Sequence, residues 1–212
     1  MNSTAKRTYR SPRREAQARA TRAAIVGAAI KLFGERGYAS TTMQAIAAEA
    51  GVAVESVYAA GSKSELLRLA VDQTTVGDDE PVPLAERPEY RHILTAPSQR
   101  EQIRRFAEFG AVISRRVVPI DRAFFESSAR DEQQAARWLE IERMRRQDLR
   151  TFVDALAAHG PLRHGMTVDT AATTAWLGLN WYNVWLMRAD LGCTDTEVAA
   201  WMERMLADLL LP

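Results

Sequence analysis

No segment of this chain alternates apolar and polar residues over the length of a strand, and it contains no Asn-Gly or Asp-Gly pair to close a hairpin. Apolar residues recur at the period of a helix instead. Ile25, Ala29, Leu32 and Phe33 form one such stripe, on a helix that Ser11-Pro12 opens and Gly37 stops. Thr41 and Thr42 can cap a short second helix with Ile46, Ala47 and Ala50 turned inward, and Gly51 ends it. A third helix runs from about Val54 to Ala59. After the break at Gly61-Ser62, Ser62 or Ser64 caps a fourth that holds Leu66, Leu67 and Ala70. Residues 77–98 carry four of the eight prolines and read as an irregular connector. Longer amphipathic helices follow, at about 99–116, 120–130, 133–159, 169–190 and 195–210. His159-Gly160-Pro161 and Leu191-Gly192 act as stops, and Thr194-x-x-Glu197 is a capping box. The expected class is all-α.

A length of 212 residues fits one large domain or two small ones and is enough to bury a core without metal or disulfides. The single cysteine, Cys193, excludes a disulfide framework and a cysteine-based zinc site. It reads as a small buried thiol in a reducing compartment. No stretch of 18 apolar residues is present and the N-terminus lacks an apolar signal region, so a cytoplasmic protein without a membrane span is expected. The net charge of +1 conceals a division. Residues 1–75 hold eleven basic and six acidic groups, whereas residues 76–212 hold seventeen and twenty-one. A basic head on an acidic body is a partner signal that the sum hides.

Two short helices joined at Gly51 make a helix-turn-helix over residues 42–59. Ala47 and Ala50 are small where the helices cross, and Ile46, Val52 and Val57 form the shared core. The start and outer face of the second helix are left to Ala53, Val54, Glu55, Ser56 and Tyr58. In such units the second helix lies in the major groove.

At this point the stretch TRAAIVGAAIKLFGERGYASTTMQAIAAEAGVAVESVYAAGSKSELL, residues 21–67, resembles the TetR family of one-component transcriptional regulators. The resemblance is carried by the Leu-Phe pair and Gly-Tyr closing the first helix, the Thr-Thr cap, Ile-Ala with Ala-Gly-Val, and Tyr followed by Ser-Lys-x-x-Leu-Leu. The mid-chain AERPEYR segment and the ending from Gly192 to Leu211 resemble actinobacterial-type members. The run departs from the family pattern in two places. Tyr58 to Lys63 is one residue short and lacks a Phe, and Ala53 stands where a Ser or Thr often caps the third helix, which costs roughly 1 kcal/mol.

The resemblance implies an N-terminal three-helix helix-turn-helix domain, residues 1–75 with residues 1–10 a flexible basic arm. It also implies a larger helical domain, residues 76–212, that binds an effector and dimerises through the last two helices. The homodimer would bind a palindromic operator in double-stranded DNA as a repressor, and a small hydrophobic or aromatic effector would release it. Thr41 and Thr42 would meet phosphate, as would Tyr58 and Lys63. Gln44 would join the DNA surface, and Ala53, Val54, Glu55 and Ser56 would face bases. Base readout by that set is thin, so affinity would lean on phosphate contacts, with Arg10, Arg13 and Arg14 as an arm on the backbone or in the minor groove.

All five tryptophans lie beyond residue 130. Most of the aromatics there read as core and interface. An apolar effector cavity is expected among Phe106, Phe109, Phe124, Phe125, Trp138 and Trp181. The carboxylates Asp131, Glu132, Glu140 and Glu142 interleave with Arg130, Arg137 and Arg143, which reads as a solvated helix face. His92, His159 and His164 have no metal-ligand spacing, and no nucleophile elbow, P-loop or dinucleotide fingerprint is present, so neither an enzyme nor a metal or cofactor site is expected. The competing readings are a non-specific or architectural DNA-binding protein without an effector, and an all-α enzyme or scaffold.

Overall fold

The computed structural model describes residues 12–76, 84–129 and 131–212, and within them the chain is helical throughout, with no strand. The first four helices are α1 (Pro12–Ser40), α2 (Met43–Ala50), α3 (Val54–Ala60) and α4 (Lys63–Val76). After a single 3-10 turn, Leu84–Glu86, come α5 (Pro88–Leu94), α6 (Gln99–Ser128), α7 (Glu132–Ala158), α8 (Val168–Gly178), α9 (Trp181–Ala189) and α10 (Asp195–Leu210). The Ser11 cap lies outside the described residues.

Local chemistry sets many of the boundaries. Thr42 caps α2 by accepting from the Ala45 amide at 3.1 Å. Gly51 closes α2 in the left-handed region (φ 66, ψ 34), which a residue with a Cβ enters only at a cost. Thr194 accepts from the Glu197 amide at 3.3 Å while Glu197 accepts from the Thr194 amide at 2.8 Å, so the capping box at the start of α10 is complete. Gly37 (φ 77, ψ 171) interrupts α1 and leaves one further turn before α2.

Three boundaries differ from the sequence reading, each because of tertiary packing. Residues 99–128 form one helix, about 45 Å long, instead of two. Pro119 removes one helical hydrogen bond, but Val117, Val118 and Ile120 on either side are buried, and that burial holds the helix together. Residues 169–190 divide at Leu179-Asn180, because the Asn180 side chain accepts from the Tyr182 amide and starts α9 afresh. The connector contains α5, with Pro88 in its first turn and Tyr90 and Ile93 buried beneath it.

The core has a consequence for function. Ile25, Leu32 and Phe33 of α1, Ile46 of α2, Val57 of α3 and Leu66 and Leu67 of α4 share one buried cluster with Ile120, Ala123 and Phe124 of α6 and Trp138 of α7. The far half of α6 packs instead with α5, α7, α8 and α10, through Ile103, Phe106, Phe152, Ala172 and Leu206. One continuous helix therefore belongs to both the basic head and the acidic body.

Candidate functional site

The outward surface of the helix-turn-helix is built by α2, α3 and the start of α4. Thr42, Gln44, Ala53, Glu55 and Tyr58 are exposed, Tyr58 by 58%. Val57 is fully buried and anchors α3. Ala53 caps α3 with no side-chain hydrogen bond, so the Val54 and Glu55 amides receive no acceptor from the cap side chain. At the next turn Ser62 and Glu65 cap each other: the Glu65 amide donates to Ser62 Oγ at 3.3 Å and the Ser62 amide donates to Glu65 Oε2 at 2.8 Å. These bonds lower the Glu65 carboxyl from its ordinary value. The same cap aims Lys63 across the Tyr38 ring, with Nζ 4.3 Å from the centroid, and burial pulls its ammonium down from its ordinary value.

Lys31 pairs with Glu49 at 2.7 Å and ties α1 to α2, and Arg68 pairs with Asp72 at 2.6 Å. Arg13, Arg19 and Arg22 are exposed on α1 and form no ion pair among the described residues. Arg10, the rest of the basic arm and the side chain of Arg14 lie outside the described residues.

Two hollows open in the acidic body. A cavity of about 190 Å³ is walled by α4 to α10 and includes Phe106, Phe109, Trp176 and Trp181. A cleft of about 830 Å³ between α7 and α8–α9 is lined by Phe125, Trp138, Trp176, Trp181, Tyr182 and Trp185. A chain of polar contacts separates them. Arg145 of α7 donates to Asp121 Oδ1 of α6 at 2.7 Å and to Glu142 Oε1 at 2.9 Å, and Trp176 Nε1 of α8 donates to Glu142 Oε2 at 2.7 Å. Burial pushes the Asp121 carboxyl up against the pull of Arg145.

The sequence model of the bacterial regulatory proteins of the tetR family matches residues 25–70, which take in the helix-turn-helix and the helices packed around it. Over this stretch the chain is similar to the TetR family. Its architecture is that of solved TetR-family structures along nearly the whole chain. A putative TetR-family transcriptional regulator from Mesorhizobium loti aligns with a TM-score of 0.69 at 18% identity, over 91% of this chain and 96% of the other. The complex of SmeT with triclosan aligns at 0.66 and 18%, over 91% and 92%. NalD, described as the secondary repressor of the MexAB-OprM multidrug efflux pump in Pseudomonas aeruginosa, aligns at 0.60 and 22%, over 92% and 98%. No curated relative matches the sequence. Among the described residues no helix is long and apolar enough to cross a membrane. The match supports a DNA-binding helix-turn-helix unit within residues 25–70.

Several sequence expectations need correction. Thr41 does not join the DNA surface. It is fully buried, and its hydroxyl donates to the carbonyls of Leu32 at 3.1 Å and Gly37 at 2.8 Å, locking α1 to the start of α2. Val54 is half-buried against the head's core and offers bases only an edge, and Ser56 is likewise half-buried. The six aromatics do not line one cavity. Phe106 and Phe109 line the smaller hollow, Phe125 and Trp138 the larger, and Trp181 both, while Phe124 lines neither. Phe124 is 0% exposed and packs against the head. Glu142 is no solvated face residue, since its side chain is 11% exposed and doubly bonded. Asp131 caps α7 by accepting from the Gln133 and Gln134 amides. Cys193 is only partly buried.

The stack of Lys63 on Tyr38 and the Asp121–Arg145–Glu142–Trp176 chain were not read from the sequence. The i, i+3 spacing of Glu142 and Arg145 was the available signal for the second.

Proposed function

We propose that this chain is a ligand-responsive repressor that binds a palindromic operator as a homodimer and is released when a small hydrophobic or aromatic effector enters the acidic body. Residues 1–75 serve as the DNA-binding domain and residues 76–212 as the effector-binding and dimerisation domain. The protein would work in the cytoplasm.

One observation carries this reading. Val117, Val118 and Asp121 of α6 wall the smaller cavity, while Ile120, Ala123 and Phe124 of the same two turns are locked into the core of α1–α4. A ligand that displaces α6 in the cavity must therefore move the head. Packed cores switch between discrete arrangements and do not deform continuously, so a small shift of α6 is passed on whole.

On the DNA side, Thr42, Gln44, Tyr58, Lys63 and the exposed Arg13 take phosphate, with Arg10 and Arg14 as the arm. Ala53, Glu55 and the accessible edges of Val54 and Ser56 meet bases. Glu55 is the one side chain of this set suited to a cytosine amine, and it repels phosphate. Dimerisation through the last two helices of the sequence reading, now α8 to α10, is supported by exposed apolar side chains at Leu177 and Tyr182. Two-fold symmetry then places the half-sites about one helical turn, ~34 Å, apart. The repressor NalD and the triclosan complex of SmeT support the sign of regulation and the aromatic character of the effector.

Competition binding at fixed salt tests the proposal. A chromosomal operator fragment should bind ~10³-fold or more tightly than random duplex, with a steep salt dependence. A ratio near unity for every fragment would favour an architectural DNA-binding protein.

A further inference from the structure

The smaller cavity is apolar in most of its lining but not in its charge. Four ionisable side chains line it: Asp121, Glu142 and Asp148 against Arg145. Three carboxylates oppose one guanidinium, a formal charge of −2. Arg145 is fully engaged with Asp121 and Glu142, at 2.7 and 2.9 Å. Asp148, one turn along α7, forms no salt bridge among the described residues. Burial holds its carboxyl up at about 6, so it is still ionised at neutral pH. The Tyr90 hydroxyl at the same wall donates to the backbone carbonyl of Asp148, at 3.2 Å, and leaves the carboxylate itself without that donor. The same lining holds aromatic rings: Tyr90 stands edge-on to Phe106 and Phe109, with centroids 6.4 and 5.8 Å away. The half-buried Asp148 carboxylate feels Arg145 only through space, with no salt bridge to it among the described residues, and ring faces in the same lining attract cations.

We infer that the effector is a lipophilic monocation, an arylalkylammonium whose ammonium sits on the Asp148 carboxylate and whose ring lies among Phe106, Phe109 and Trp181. Size limits it as well as charge. A cavity of ~150 Å³ takes a benzene ring, so 190 Å³ admits one ring and a short amino chain. The inference rests on the effector-cavity reading above and narrows it from any small aromatic to an amine. An anionic aromatic is disfavoured because the one guanidinium in the cavity already holds two carboxylates.

Three probes of one shape separate the possibilities on the full chain: 2-phenylethylammonium, neutral 2-phenylethanol and anionic 3-phenylpropanoate, each followed by calorimetry and tryptophan emission at pH 7.5. The ammonium should bind at least about ten-fold more tightly than the alcohol, and the propanoate should not bind. Asp148→Asn should weaken the ammonium by about ten- to one-hundred-fold and leave the alcohol unchanged, which also shows that the cavity is intact. Asp148→Glu should restore part of the loss. Equal binding of ammonium and alcohol, a preference for the propanoate, or an Asp148→Asn variant that binds the ammonium normally would overturn the cationic assignment and leave the effector cavity standing. Silence from all three probes in both readouts would count against the cavity reading and the amine together.

Discussion

Replacing Asp121 by Asn cuts the tie between the two helices that wall the cavity. Asp121 is 2% exposed in its side chain and Arg145 is 23% exposed, with 2.7 Å between Oδ1 and Nη2. Removing one partner of a buried pair costs about 3–5 kcal/mol, because the other charge is left uncompensated. Arg145 keeps Glu142 at 2.9 Å and so is not left unpaired, which brings the loss to or below the lower limit of that range, about 2–3 kcal/mol. In a chain of 212 residues each kilocalorie moves the midpoint by ~2–4 °C, so Asp121→Asn should lower Tm by about 4–12 °C. The assay is thermal unfolding followed by circular dichroism at one protein concentration, because dimerisation makes the midpoint concentration-dependent. Arg145→Gln and the double variant complete a cycle, and the double variant should cost clearly less than the two singles added together. A midpoint for Asp121→Asn within 1 °C of the parent, or strict additivity in the cycle, would refute the claim that this pair braces α6 against α7.

Three further outcomes follow from the same geometry. Lys63→Met should weaken operator and random DNA alike and reduce the salt slope of binding by about one, read by anisotropy across a salt series; an unchanged slope would take Lys63 off the phosphate backbone. Gly51→Ala should cost about 1–2 kcal/mol, because its φ of 66 is unfavourable for a Cβ that otherwise meets nothing within 4 Å, and equal unfolding midpoints would contradict that. Asp148 has a folded pKa raised to about 6, so the native state takes up its proton before the unfolded chain does. Its effect on stability is therefore a loss that grows as pH rises from about 4 to 6 and stays constant above. Discounted for its partial exposure, that loss is about 1–2 kcal/mol, and Asp148→Asn should abolish this part of the pH profile.

What was legible in the sequence was local. Thr42, Gly51 and the Thr194–Glu197 box act on amides within three residues of themselves, so their spacing alone predicts the boundaries they set. The expected break between 116 and 120 and the expected unbroken helix 169–190 both fail, because the effects of Pro119 and Asn180 depend on what packs around them. Neighbouring residues of like type were the hardest to assign. Thr41 turns into the core while Thr42 stays outside, and Phe124 packs on the head while Phe125 opens to the cleft. A helix rotates about 100° per residue, so adjacent positions meet different environments that composition cannot distinguish. The charge split between head and body was visible from the start. That one of those acidic groups, Asp148, lines a hollow without a salt bridge among the described residues came only from the fold.

The central claim is that a basic helix-turn-helix head reads DNA as a symmetric pair. Selection of bound sites from a random duplex pool with the full chain tests it most directly. A symmetric pair of heads should enrich an inverted repeat whose half-sites are centred about one helical turn apart, ~34 Å. Enrichment of an asymmetric single site, or of no sequence at all, would contradict it.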